Sequence, residues 1–83
     1  MQRDEVFATL REIAVEVLGV EADAVTEAAS LKDDLGADSL DLVEFVMSIE
    51  ERLDITVPEE DLEGVNTVGQ AVDLVAGKLA VGA

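Results

Sequence analysis

Ser39 sits between an acidic cap and an acidic, apolar-ridged segment in the run Leu35-Gly36-Ala37-Asp38-Ser39-Leu40-Asp41-Leu42-Val43-Glu44-Phe45. Its hydroxyl is the side chain best placed for chemistry in a chain that has no His, Cys, Tyr or Trp and only five Lys and Arg. A serine nucleophile needs a neighbouring base to take its proton, and neither Lys32 nor Lys78 lies in a nucleophile motif. Zinc, iron–sulfur and dithiol chemistry lose their usual ligands with His and Cys. Carboxylate pairs remain, but they serve glycoside hydrolysis in sugar-sized clefts that a chain of 83 residues can hardly enclose. A calcium loop starting at Asp33 would place Leu35 and Ala37 where oxygen ligands belong and Asp38 where a glycine belongs. The inventory gives no catalytic residue and no metal site. It points to a non-enzyme.

The elements that must position this serine read as all-α. One domain, residues 1–83, with 49% apolar residues can form a small core without disulfide or metal. Val6, Leu10, Ile13, Val17 and Leu18 recur at helical spacing and predict a first helix from about Asp4 to Leu18, stopped by Gly19. A long loop follows from Val20 to Ala37, in which Ser30-Leu31-Lys32-Asp33 is expected to cap one short turn. Helix two is expected from Asp38 to near Leu53, with Asp38 as cap and Asp41 completing a shortened capping box. Pro58 fits the first position of a short helix whose positive end is filled by Glu59, Glu60 and Asp61. Thr67 and Gln70 form a second capping box that opens a last helix through about Leu79, with Val68, Ala71, Val72, Val75 and Leu79 as its core stripe. Gly77 within it costs about 1 kcal/mol and predicts a frayed end, with Val81-Gly82-Ala83 as a loose tail. Three main helices and one short one make a small four-helix bundle with a long loop between helices 1 and 2.

A net charge of −15 argues against nucleic acid or anionic membrane as a partner and in favour of basic protein surfaces. Asp33 to Glu63 holds twelve of the twenty acids and a single basic residue, Arg52. No apolar run approaches a membrane span, and Met1-Gln2-Arg3-Asp4-Glu5 is too acidic to begin a signal peptide, so a cytoplasmic monomer is expected. Helix two carries more apolar surface than one core stripe requires. Leu42, Phe45, Val46, Ile49 and Leu53 complete a buried stripe, while Leu40, Val43 and Met47 form a second stripe bordered by acids. Acids so close to the second stripe favour an exposed docking face, on which Met47 suits several partners. With Asp38 as cap, Ser39 falls at the first helical position, where its hydroxyl is free and unpaired N–H groups favour an anion.

The stretch Leu35-Gly36-Ala37-Asp38-Ser39-Leu40, continuing through Met47, closely resembles the phosphopantetheine attachment motif of acyl carrier proteins. Glu50-Glu51-Arg52-Leu53-Asp54-Ile55-Thr56-Val57-Pro58 resembles the family's passage from its second helix to its third, and Leu18-Gly19-Val20 and Thr67-Val68 fit at the corresponding places. The resemblance covers nearly the whole chain. It implies a four-helix carrier on which a phosphopantetheinyl transferase attaches 4′-phosphopantetheine to Ser39, with the arm's thiol holding acyl groups as thioesters. It also implies that Asp38, Asp41, Glu44 and Glu51 face basic residues of that transferase and of ketosynthases, acyltransferases and other acyl-processing enzymes, with Leu40, Val43 and Met47 making apolar contacts between them. The implied pathway is fatty acid biosynthesis, with a polyketide or lipopeptide pathway as the alternative. An acidic helical adaptor that binds basic partners without modification is the competing account from another class; it would leave Ser39 replaceable.

Overall fold

The computed structural model describes the backbone of residues 2–82 and the side chains of residues 2–79. Three α-helices, α1 (Arg3–Leu18), α2 (Ser39–Leu53) and α3 (Val68–Gly82), form the bundle, with α1 packed against both of the others. Along α1, Val6, Leu10 and Ile13 are fully enclosed, and Gly19 ends the helix in the left-handed region at φ 69°. Phe45 and Ile49 of α2 and Val68, Val72 and Val75 of α3 meet them in one core. Each large aliphatic or aromatic side chain so buried contributes roughly 1.5–3 kcal/mol. Leu42 and Leu53 of the expected α2 stripe, and Leu79 of the α3 stripe, pack against this core only partly buried, and Val46 is half-buried.

The short fourth helix is present as a 3-10 turn, Glu59–Leu62. Two expectations are corrected. Pro58 stands just before that turn rather than at its first position. A piece of four residues sustains i→i+3 bonds more readily than an α-helical ladder, and Gly64 stands just beyond it. The last helix does not fray after Gly77: it runs on through Leu79, Val81 and Gly82, since no proline or capping residue interrupts the ladder and Val75 and Leu79 hold it to the core. Ala83, the remaining residue of the expected tail, lies outside the described residues.

The loop between α1 and α2 belongs to the core. Val25, Ala29, Leu31, Leu35 and Ala37 are all buried, and a 3-10 turn spans Ala22–Ala24. Its polar backbone finds partners at the start of α3: Val68 N–H donates to the Ala29 carbonyl at 3.0 Å and Gly69 N–H to the Glu27 carbonyl at 2.9 Å. Leu31 N–H in turn donates to the Asn66 carbonyl at 2.9 Å, beside an isolated antiparallel bridge between Ser30 and Thr67. The Val68 and Gly69 bonds satisfy helix N–H groups that have no intrahelical acceptor. The Thr67–Gln70 capping box forms as expected, with Gln70 N–H donating to Thr67 Oγ1 at 3.2 Å and Thr67 N–H to Gln70 Oε1 at 3.1 Å.

Arg3 clamps the junction from outside. Its guanidinium reaches Glu27 at 2.7 Å and Asp73 at 2.8 Å, tying α1, the loop and α3 together. The hydrogen bond from Arg3 holds the Glu27 carboxyl below its ordinary value, and the two acids raise Arg3 further above its own. Because Glu27's folded value is depressed, its stabilisation is present above the ordinary carboxylate range and is lost as pH falls through the lowered value. The pair is half exposed, so it acts as a modest tether.

Gly69 is where the loop and α3 come closest. A β-carbon there would meet the Glu27 carbonyl oxygen at 3.0 Å, whereas one at Gly77 would meet nothing within 4 Å. Gly69→Ala should therefore lower stability by about 1 kcal/mol, overpacking exceeding the gain in helix propensity, and Gly77→Ala should raise it by about 0.5–1 kcal/mol. Urea midpoints of the two variants check this; a stabilised Gly69→Ala would contradict the close approach.

Candidate functional site

The segment entering α2 is laid on the bundle by a chain of short bonds. Ser30 closes the expected turn twice: its hydroxyl accepts from Asp33 N–H at 3.1 Å, and its own N–H donates to Asp34 Oδ2 at 2.7 Å. Asp34 and Leu35 N–H both donate to the Ser30 carbonyl, and Ala37 N–H donates to the Leu31 carbonyl at 2.9 Å. Leu35 and Ala37 turn inward to 6% and 4% exposure, so the residues between and after them are held outward. Gly36 makes this possible with φ 68°, a conformation that costs a residue with a side chain roughly 1–2 kcal/mol.

Asp38 then caps α2. Its Oδ1 accepts from Asp41 N–H at 2.9 Å, and its own N–H donates to Asp41 Oδ2 at 3.3 Å, completing the capping box read from the sequence. Ser39 is the first residue of the helix, exposed, and its hydroxyl makes no hydrogen bond among the described residues. The N–H groups of Ser39 and Leu40 likewise find no protein acceptor among the described residues, so unpaired donors lie beside that hydroxyl at the positive end of a 15-residue helix. A phosphodiester oxygen suits this setting. The carboxylates of Asp38 and Asp41, already engaged with the backbone, disfavour a second anion lying over the cap and keep any such group facing solvent.

The second apolar stripe of α2 is exposed. Leu40, Val43 and Met47 retain 66%, 49% and 53% of their accessible surface, values high enough to make the stripe a surface feature rather than a second core contact. Asp38, Glu44 and Glu51 beside it are exposed, and Asp41 is half-buried against the cap. Leu40, Val43, Glu44, Met47 and Glu51 are exposed along α2, with Ser39 and the Asp38–Asp41 cap at its N-terminal end. Arg52, the single cation of the acidic span, points away to α1, where it meets Glu16 at 2.9 Å and Glu12 at 3.8 Å. It leaves the acids around the stripe unpaired among the described residues.

Behind the stripe, an apolar cavity of about 120 Å³ opens between α2, α3 and the 3-10 turn. Leu31, Phe45, Val46, Ile49, Leu62 and Val75 line it, and Val43 and Glu59 also border it. Sequence reading did not locate this space. The half-buried pattern of Leu42 and Val46, apolar residues that the helical period places in the core, is the signal it leaves. Sequence reading also missed the C-terminal cap of α2 at Asp54, a non-glycine residue at φ 54°, and the bond from Val57 N–H to Glu50 Oε2 at 2.8 Å that fixes the chain leaving it. No group of acids among the described residues is arranged to hold a metal ion, and no helix among them is long and apolar enough to cross a membrane.

Comparison with known proteins agrees with this geometry. The family model described as phosphopantetheine attachment site matches residues 8–75, a span that contains α2 and Ser39. The thermally stable acyl carrier protein of Enterococcus faecalis is similar at 38% identity and a TM-score of 0.76, over 94% of this chain and 99% of that one. The crystal structure of an acyl carrier protein from Thermotoga maritima is similar at 30% identity and a TM-score of 0.86, over 100% of this chain and 96% of that one.

The cap is the feature of the site most exposed to mutation. Asp38→Ala should cost about 1 kcal/mol in urea unfolding, whereas Asp38→Asn, which loses the charge but keeps an acceptor for Asp41 N–H, should stay within a few tenths of wild type. Equal losses in both would mean that charge, not the cap bond, holds the helix start.

Proposed function

Because the chain belongs to the acyl carrier protein family, whose attached group is a covalent 4′-phosphopantetheine, we propose that Ser39 is the attachment residue and that the loaded chain serves fatty acid biosynthesis. One observation carries the reading: Ser39 offers an exposed hydroxyl with no protein partner among the described residues, beside free helix N–H groups and at the end of an exposed apolar stripe edged with acids. When attached, the group supplies an arm ending in a thiol on which acyl groups are held as thioesters.

This chain's residues perform the rest by placement. Asp38 and Asp41 fix the helix start, so Ser39 Oγ is presented in one orientation to a visiting transferase. The chain has no His, and no carboxylate is hydrogen-bonded to this hydroxyl among the described residues. The base that takes the serine proton therefore comes from the transferase, and the chain itself does no catalysis. Leu40, Val43 and Met47 provide the apolar contact with the transferase, ketosynthases and acyltransferases, while Asp38, Asp41, Glu44 and Glu51 attract their basic surfaces and speed encounter. The apolar cavity shelters an aliphatic cargo from water at little polar cost, which favours fatty acyl groups over the more polar cargo of a polyketide or lipopeptide pathway.

Intact-mass measurement with coenzyme A, magnesium and a promiscuous phosphopantetheinyl transferase tests the assignment. Wild type should gain one phosphopantetheine and Ser39→Ala none. Absence of any gain in wild type, with a known carrier modified in the same assay, would favour the unmodified acidic adaptor instead.

A further inference from the structure

The segment 58–65 is fastened at its ends and has few polar restraints between them, with Leu62 and Val65 as its half-buried apolar contacts. On one side Val57 is buried, its N–H bonded to Glu50 Oε2; on the other the Asn66 carbonyl accepts from Leu31 N–H and Thr67 bridges Ser30. Between these anchors the backbone bonds only to itself, from Asp61 N–H to the Pro58 carbonyl at 3.0 Å and from Val65 N–H to the Leu62 carbonyl at 3.0 Å. No residue of the 3-10 turn is buried. The one polar tie from this turn to another helix among the described residues is the ion pair of Asp61 with Lys78 of α3, at 2.7 Å. It is also the least exposed ion pair described, its side chains 31% and 33% accessible.

Glu59 and Leu62 of the same turn wall the apolar cavity, with α2 and α3 forming the other sides. A dry cavity of about 150 Å³ admits a benzene-sized ligand, so about 120 Å³ takes only a short aliphatic chain while the wall stays in place. The wall with the fewest attachments is the one that yields to a longer one.

We propose that residues 58–65 are a strap across the cavity and that the Asp61–Lys78 ion pair is its latch, so that these two side chains set the size of aliphatic cargo the bundle accepts. The inference rests on the carrier reading for its cargo, while the latch itself is a property of the unloaded chain. A partly exposed pair contributes modestly, which suits a latch that must open: its loss shifts a local opening equilibrium severalfold without unfolding the bundle.

Two measurements test it, each on Lys78→Gln, on Asp61→Asn as a second way to break the pair, and on Lys32→Gln, which removes a cation with no ion pair among the described residues. In the unloaded chain, amide hydrogen exchange at Asp61 and Val65 should rise about twofold to fivefold in both latch variants, with Leu10 and Ile13 unchanged and Lys32→Gln matching wild type. Chains loaded with butanoyl or decanoyl groups are then compared by melting temperature. The latch variants should gain more from decanoyl, relative to butanoyl, than wild type or Lys32→Gln does. Unchanged exchange at Asp61 and Val65 would overturn the latch, and faster exchange with an unaltered cargo preference would overturn its role in setting cargo size. Failure of every variant to load would count against the carrier reading alone, because the exchange measurement needs no cargo.

Discussion

The carbonyls of Glu27 and Ala29 meeting the first N–H groups of α3 are the contact on which the rest of the structure depends. A loop of this length would otherwise leave unpaired backbone in a core that also contains Val25, Leu31 and Leu35. By docking on α3, the loop satisfies its own carbonyls and the helix's orphan donors together. It also fixes Ser30 and Leu31, whose carbonyls receive the N–H groups of Asp34, Leu35 and Ala37. From there the chain has one short step to Asp38, and Ser39 is held outward because Leu35 and Ala37 are held inward. The position of Ser39 is thus set from α3, on the far side of the loop, through backbone bonds that a side-chain inventory does not contain.

Cations are used inward and acids outward. Arg3 ties α1 to the loop and α3, Arg52 ties α2 to α1, and Lys78 ties α3 to the 3-10 turn. Arg11 lies over the Phe7 ring, 5.6 Å from its centre. Four of the five basic residues are thus engaged away from the exposed stripe of α2, whose acids remain available to a basic partner. Most of these ion pairs are well exposed and individually weak, so their sum tethers elements that the apolar core already assembles. The same arrangement leaves Asp61–Lys78 as the one ion pair between the 3-10 turn and another helix among the described residues.

Local signals in the sequence located much of this. The helix starts at Asp38 and Thr67 were legible because capping boxes are encoded within four residues, and Gly19 marked the end of α1. The two stripes of α2 followed from the 3.6-residue period, and Leu40, Val43 and Met47 of the second are exposed. The loop's packing was not legible, since its partners lie about forty residues on at Asn66, Val68 and Gly69 and are engaged through backbone atoms common to every residue. The turn after Pro58 read as a helix because proline and acids favour any helical start, while its shortness selects the 3-10 form. Gly77 suggested fraying, but core packing by Val75 and Leu79 outweighs its propensity cost.

On the proposed reading, helix-start geometry, and not hydroxyl chemistry in general, selects the loading point. The chain has serines at 30, 39 and 48: Ser30 is tied into its turn by hydrogen bonds to Asp33 and Asp34, and Ser48 is half-buried on α2. Tandem mass spectrometry of proteolytic fragments from the loaded protein tests the claim most directly. Phosphopantetheine should appear on the fragment ions containing Ser39 and on no others. The group found on Ser30, on Ser48 or on a threonine would contradict it.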